Sequence, residues 1–89
     1  MSEKIKVLLI EDNPGDAKLV EIYLRESPTI DFEMTQVTRL GEGIELANRK
    51  KDFDIVLLDL HLPDSKGFQT LTKAIEGFPK RSSIVILTG

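Results

Sequence analysis

The sequence predicts an α/β fold: a doubly wound parallel sheet with strands and helices alternating as βαβαβαβ. Three observations carry the prediction. Val7-Leu8-Leu9-Ile10, Ile55-Val56-Leu57-Leu58 and Ile84-Val85-Ile86-Leu87 are unbroken apolar runs, the mark of strands buried on both faces of a parallel sheet. Segments with helical spacing of apolar residues separate the strands. Acidic residues stand at the ends of the first and third runs, where an open α/β sheet places its chemistry.

Each element has its own local signals. Ile5 to Ile10 forms the first strand and ends in Glu11 and Asp12. Asn13-Pro14-Gly15-Asp16 is a helix start, with Asn as N-cap, Pro in the first turn and an acid that complements the helix dipole. This helix runs to about Glu26, with Ala17, Val20 and Leu24 on one stripe and Leu19 and Tyr23 beside it. Ser27-Pro28 stops it. The second strand alternates, Ile30, Phe32 and Met34 against Asp31, Glu33 and Thr35, which suits a sheet edge. Leu40, Ile44 and Ala47 then mark a second helix that ends near Lys50, although Gly41 and Gly43 weaken its first turn. The third strand runs from Asp54 into Asp59, followed by the loop Leu62-Pro63-Asp64-Ser65-Lys66-Gly67. A third helix starts near Phe68, with Phe68, Leu71, Ile75 and Phe78 on one face, and ends at Gly77 and Pro79. The fourth strand is Ser83 to Leu87, followed by Thr88 and Gly89. Such alternation implies parallel pairing, right-handed crossovers and helices on both faces. Periodicity does not select a strand order.

Composition narrows the function classes. The chain has 89 residues, 40% hydrophobic and 30% charged, with a formal net charge of −3. One domain is the ceiling, and nothing resembles the electrostatic footprint of a nucleic-acid binder. The basic run Arg49-Lys50-Lys51 falls at a helix C-terminus, where cations are favoured. There is no cysteine, which excludes disulfides, thiolate chemistry and Cys-based zinc sites. No signal segment or membrane-length apolar run is present, so a cytoplasmic location is expected.

In a parallel sheet the strands' C-terminal ends share one rim. That brings Glu11, Asp12, Asp59 and Thr88 together if their strands are neighbours. Converging carboxylates repel unless a cation sits among them, and Mg²⁺ takes oxygen ligands, with one or two carboxylates from the protein. Taken alone, Asp59 could equally be a strand-end turn residue. The acids at the end of the first strand shift the balance toward a site.

The acidic pair Glu11-Asp12, Asp59, the loop Leu62-Pro63-Asp64 with Gly67, and Thr88-Gly89, each at a strand end or just beyond, together resemble the receiver domain of two-component response regulators. The segment Glu11 to Ala17 is similar to single-domain and hybrid members. The resemblance implies a flavodoxin-like fold with strand order 2-1-3-4. It implies Asp59 as phosphoacceptor from the phosphohistidine of a sensor kinase or from a small phosphodonor. Asp12, Glu11 and Asp59, with the backbone carbonyl of His61, would hold Mg²⁺. Thr88 would be the switch hydroxyl, with the Gly89 amide near the same phosphoryl oxygen. Such a protein is a signalling domain rather than an enzyme.

A complete receiver carries a fourth helix, a fifth strand and a fifth helix, so residues 1–89 are expected to be an incomplete domain. No lysine stands where the family's fifth strand places one; Lys66 and Lys80 do not fall at such a position. Phosphotransfer is therefore expected to be impaired, and the unprotected edge at residues 84–87 to drive dimer or higher oligomer formation. The alternative is a non-catalytic fragment of this fold that self-assembles. A haloacid-dehalogenase type would need a DxD pair after the first strand, where Glu11-Asp12-Asn13 stands. No nucleotide-binding glycine motif occurs. The His61 side chain is read as an exposed loop residue, Asp64 and Ser65 as caps of the turn into the third helix, and Tyr23 and the four phenylalanines as core.

Overall fold

A computed structural model describes residues 4–87. Long strands β1 (Ile5–Ile10), β2 (Phe32–Val37) and β3 (Ile55–Asp59) alternate with helices α1 (Pro14–Arg25) and α2 (Leu40–Lys50). The two-residue strands β4 (His61–Leu62) and β5 (Ser65–Lys66) precede helix α3 (Phe68–Gly77), and β6 (Ser83–Leu87) comes after it. The four long strands form one parallel sheet in the order β2-β1-β3-β6. This is the expected order, with β6 as the fourth long strand. The expected switch residues Thr88 and Gly89 lie outside the described residues.

The sheet order fixes the layering. The chain steps one way from β1 to β2, then back past β1 to β3 and on to β6. Right-handed crossovers therefore put α1 on one face and α2 and α3 on the other. The main core lies under α2 and α3, where Leu8, Ile10, Val56 and Leu58 pack with Leu40, Ala47, Phe53, Leu62, Ala74 and Phe78. Val7 and Leu9, buried as deeply, point to the α1 side with Ala17 buried in that helix. Gly43 lets α2 approach the sheet: a Cβ there would stand 2.5 Å from Ile10 Cδ1.

Several local expectations give way to tertiary packing. β2 starts at Phe32 rather than Ile30 because its ladder begins opposite Ile5 and runs on to Val37 opposite Ile10. Ile30 is left exposed. Tyr23 and Phe68 are not core, at 64% and 78% exposure. The buried face of α3 is Thr70, Ala74 and Phe78 rather than Phe68, Leu71 and Ile75, and Ile75 is exposed. The helix is turned by the segment after Asp59. This stretch, expected as a plain loop, is a small antiparallel hairpin with His61 opposite Lys66 and Leu62 opposite Ser65. Gly67 makes the hairpin's exit at φ 64°, ψ −139°, a region that only glycine enters without strain.

Candidate functional site

The reversal of strand order falls between β1 and β3, so their C-terminal ends flank the crevice where such sheets bind ligands. Glu11 leaves β1 with its amide donating to Val37 O at 3.0 Å, and the Gln36 side chain donates to Glu11 O at 2.9 Å. These bonds to the edge strand fix the backbone that carries the acidic pair. Asn13 then caps α1 as its sequence predicts: its Oδ1 accepts from the Asp16 amide at 3.1 Å. Asp59 closes β3, and the His61 amide donates to its Oδ1 at 3.0 Å. Glu11, Asp12 and Asp59 each bring a carboxylate oxygen to within 4.8 Å of the others.

The electrostatics of the cluster are unbalanced. Glu11 is buried at 6% exposure, Asp59 is half-buried and Asp12 exposed. Burial first, then the contact with the Asp59 carboxylate and its charge, push the Glu11 carboxyl up to about 7 against a weak opposing hydrogen bond from the Asn13 amide. None of the ion pairs among the described residues involves these three acids. An all-oxygen donor set with one buried carboxyl and no cationic side chain suits a hard divalent ion. Beside the acids lies a pocket of about 490 Å³ whose apolar wall is Leu19, Val20, Tyr23, Ile86 and Leu87.

The structure thus brings together Glu11, Asp12 and Asp59, as the sequence predicts. It sets His61 beside them through its main chain, with the side chain exposed. Asp64 and Ser65 do not cap α3, whose N-cap position is Gly67 with no side-chain cap. Asp64 instead accepts from the first two amides of α2, Leu40 and Gly41, at 2.9 Å each. Desolvation raises its carboxyl, but the Gly41 and Leu40 amides more than offset this and hold it below the ordinary carboxylate range. Ser65 is buried beside Thr70, whose hydroxyl lies 2.9 Å from Ser65 Oγ and 3.0 Å from Leu60 O. Sequence reasoning missed this bracing. A signal for half of it existed: the N-cap position of α2 is Arg39, which cannot act as a side-chain acceptor, so the helix's first amides need a partner from elsewhere.

With this geometry in place, comparison with known proteins is decisive. The family pattern of the response regulator receiver domain matches residues 7–89. The chain belongs to the response regulator receiver domain family. The cell cycle response regulator CtrA of Brucella ovis is 38% identical over 86 residues, 96% of this chain, and the CtrA of Brucella canis matches to the same extent. The chain spans about a third of the length of these relatives (34%). Among solved structures, the phosphorylated cyanobacterial phytochrome response regulator RcpA is 30% identical with a TM-score of 0.70, covering 94% of this chain and 64% of that one. The signal receiver domain of a putative LuxO repressor protein from Vibrio parahaemolyticus is 27% identical with a TM-score of 0.73, over 94% and 61%. A sulfate-bound mutant of the MaeR response regulator shares the fold at a TM-score of 0.80 and 21% identity, over 98% and 69%. This receiver domain therefore has the flavodoxin-like sheet of its family, and its role is signalling. No described helix is long and apolar enough to cross a membrane.

Proposed function

We propose that this receiver domain is a phosphoacceptor: Asp59 takes a phosphoryl group from the phosphohistidine of a sensor kinase or from a small phosphodonor. Glu11, Asp12, Asp59 and the backbone carbonyl of His61 would hold the Mg²⁺ on which the transfer would depend. One observation carries the reading. Three carboxylates 48 or fewer positions apart in sequence meet within 4.8 Å at the crevice of the sheet, in a chain of this family. A phosphorylated relative, RcpA, shares 30% identity with it.

The residues divide the work. One Asp59 carboxylate oxygen forms a bond to phosphorus. The bond from phosphorus to the donor's nitrogen or oxygen breaks, and the leaving group keeps the electron pair. The product is an acyl phosphate on Asp59. The His61 amide fixes the carboxylate's orientation, and transfer is then mainly positioning and charge stabilisation. Bound Mg²⁺ supplies the positive charge that offsets the repulsion between carboxylates and phosphoryl oxygens. Glu11, partly protonated near neutrality, would give up its proton to take a place beside a bound cation. The Thr88 hydroxyl is assigned to the phosphoryl oxygen by resemblance alone. The proposed compartment is the cytoplasm.

The test is intact-mass spectrometry after incubation with Mg²⁺ and acetyl phosphate. We expect one added phosphoryl group on a fraction of the wild-type chain, the transfer being impaired as the sequence leads one to expect, and none on Asp59→Asn or when Mg²⁺ is chelated. An unmodified wild-type chain, or uptake that persists in Asp59→Asn, overturns the reading.

A further inference from the structure

Asp64 lies outside the acidic pocket, yet it holds the hairpin that leads out of it. Residues 60–66 connect Asp59 to α3 and fold back as β4 and β5, with Pro63 and Asp64 at the turn. On one side the hairpin is fastened to α3. The Thr70 hydroxyl reaches both Leu60 O and Ser65 Oγ, and the Gly67 amide donates to Leu60 O at 2.7 Å.

On the other side it is fastened to α2. That helix has no cap of its own, since Arg39 at the cap position contributes no side-chain bond. Its first amides donate to Asp64, Leu40 to Oδ1 and Gly41 to Oδ2, both at 2.9 Å. A helix N-terminus presents unpaired amides and partial positive charge, so a carboxylate bound through both oxygens is a strong partner for it. The cap is thus supplied from 24 positions away in sequence.

The same hairpin meets Asp59. Its first residue, His61, donates its amide to Asp59 Oδ1 at 3.0 Å. A movement of the turn at Asp64 therefore passes through two residues of β4 to the main chain that sets the Asp59 carboxylate.

We propose that Asp64 is a positioning residue for the Asp59 site: by pinning the hairpin turn to the start of α2, it holds the His61 main chain in register with Asp59 and the cation ligands. This rests on the function proposed above for the pocket. Partners that orient a metal's ligands without touching the metal commonly change its affinity about 10- to 100-fold when removed. Asp64 belongs at the lower end, because Thr70 still holds the other flank.

Three variants of the chain test this. Asp64→Ala removes both bonds to α2. Asp64→Asn keeps one acceptor oxygen, so it retains one of the two bonds to α2 and turns an NH2 donor toward the other amide. Asp64→Ala combined with Gly41→Ala keeps the hairpin unpinned while restoring helix stability through the better helix propensity of alanine. The new Cβ at position 41 would lie 3.5 Å from Asp64 Oδ2 in the wild type, an ordinary contact.

The readouts are Mg²⁺ affinity, from amide resonances during a Mg²⁺ titration, and hydrogen exchange at the His61 amide. Asp64→Ala and the double variant should each weaken Mg²⁺ binding about tenfold and speed His61 exchange, and Asp64→Asn, with one of the two bonds left, should fall between them and the wild type. If the double variant folds with wild-type stability and wild-type Mg²⁺ affinity, Asp64 is a helix cap only and the inference is overturned. A wild-type chain that binds no Mg²⁺ overturns the functional reading itself and this inference with it. Equal binding by wild type and variants overturns this inference alone.

Discussion

Replacing Glu11 by glutamine should abolish a pH dependence of stability that the wild-type chain shows in metal-free buffer. The Glu11 carboxyl rises from its ordinary 4.5 to about 7, first because it is buried and then because Asp59 is its neighbour. Between those values the folded chain holds a proton that the unfolded chain has released. Stability therefore falls as pH rises through this window and levels off above it. At about 1.4 kcal/mol per pH unit, the full window corresponds to about 3 kcal/mol. Glu21, Asp52 and Asp64 are shifted the opposite way, below their ordinary values. Their contributions are lost only at more acid pH, so they do not mask the slope. Glutamine keeps the size and the hydrogen-bonding oxygen and cannot ionise. Urea denaturation at about pH 5 and about pH 8 is the assay, a span that covers most of the window. The wild type should lose up to about 3 kcal/mol across it and Glu11→Gln almost none. Saturating Mg²⁺ at the higher pH should restore the wild type, since a ligand that binds only the folded state stabilises it. Parallel pH curves for the two chains would refute the reasoning, because the slope would then have another source.

Further predictions concern the scaffold. Thr70→Val removes a fully buried hydroxyl and strands Ser65 Oγ; urea denaturation should show a loss of about 1–3 kcal/mol. Gly43→Ala gains helix propensity of about 1 kcal/mol but drives a methyl to 2.5 Å from the fully buried Ile10. A net loss of stability of up to about 2 kcal/mol is expected from thermal unfolding, since overpacking costs about 1–3 kcal/mol. At the open side of β6, Val85 is 44% exposed and, among the described residues, the strand pairs only with β3. Sedimentation should show concentration-dependent association of the 89-residue chain that Val85→Lys suppresses, because charge at a strand edge blocks pairing.

How much of this was legible in the sequence depends on the range of the interaction concerned. The cap of α1 was readable because Asn13 and Asp16 are three positions apart and make their bond within one turn. The acids at strand ends were readable because an unbroken apolar run declares a buried parallel strand, and all such strands end on one rim. The exposure of Tyr23 and Phe68 was not readable: an aromatic residue at helical spacing looks the same whether or not another layer covers it. Nor was the role of Thr70, a polar residue on a helix that is buried because the hairpin offers it two partners.

The order of elements, the parallel sheet and the identities of Glu11, Asp12 and Asp59 were determined by the sequence itself, since local periodicity and strand-end chemistry need no knowledge of distant contacts. Tertiary structure alone decided the raised Glu11 carboxyl, the rotation of α3 and the capping of α2 by Asp64. Each of these depends on which groups approach across long stretches of chain, and burial, charge proximity and hydrogen-bond pairing are set only when the layers close.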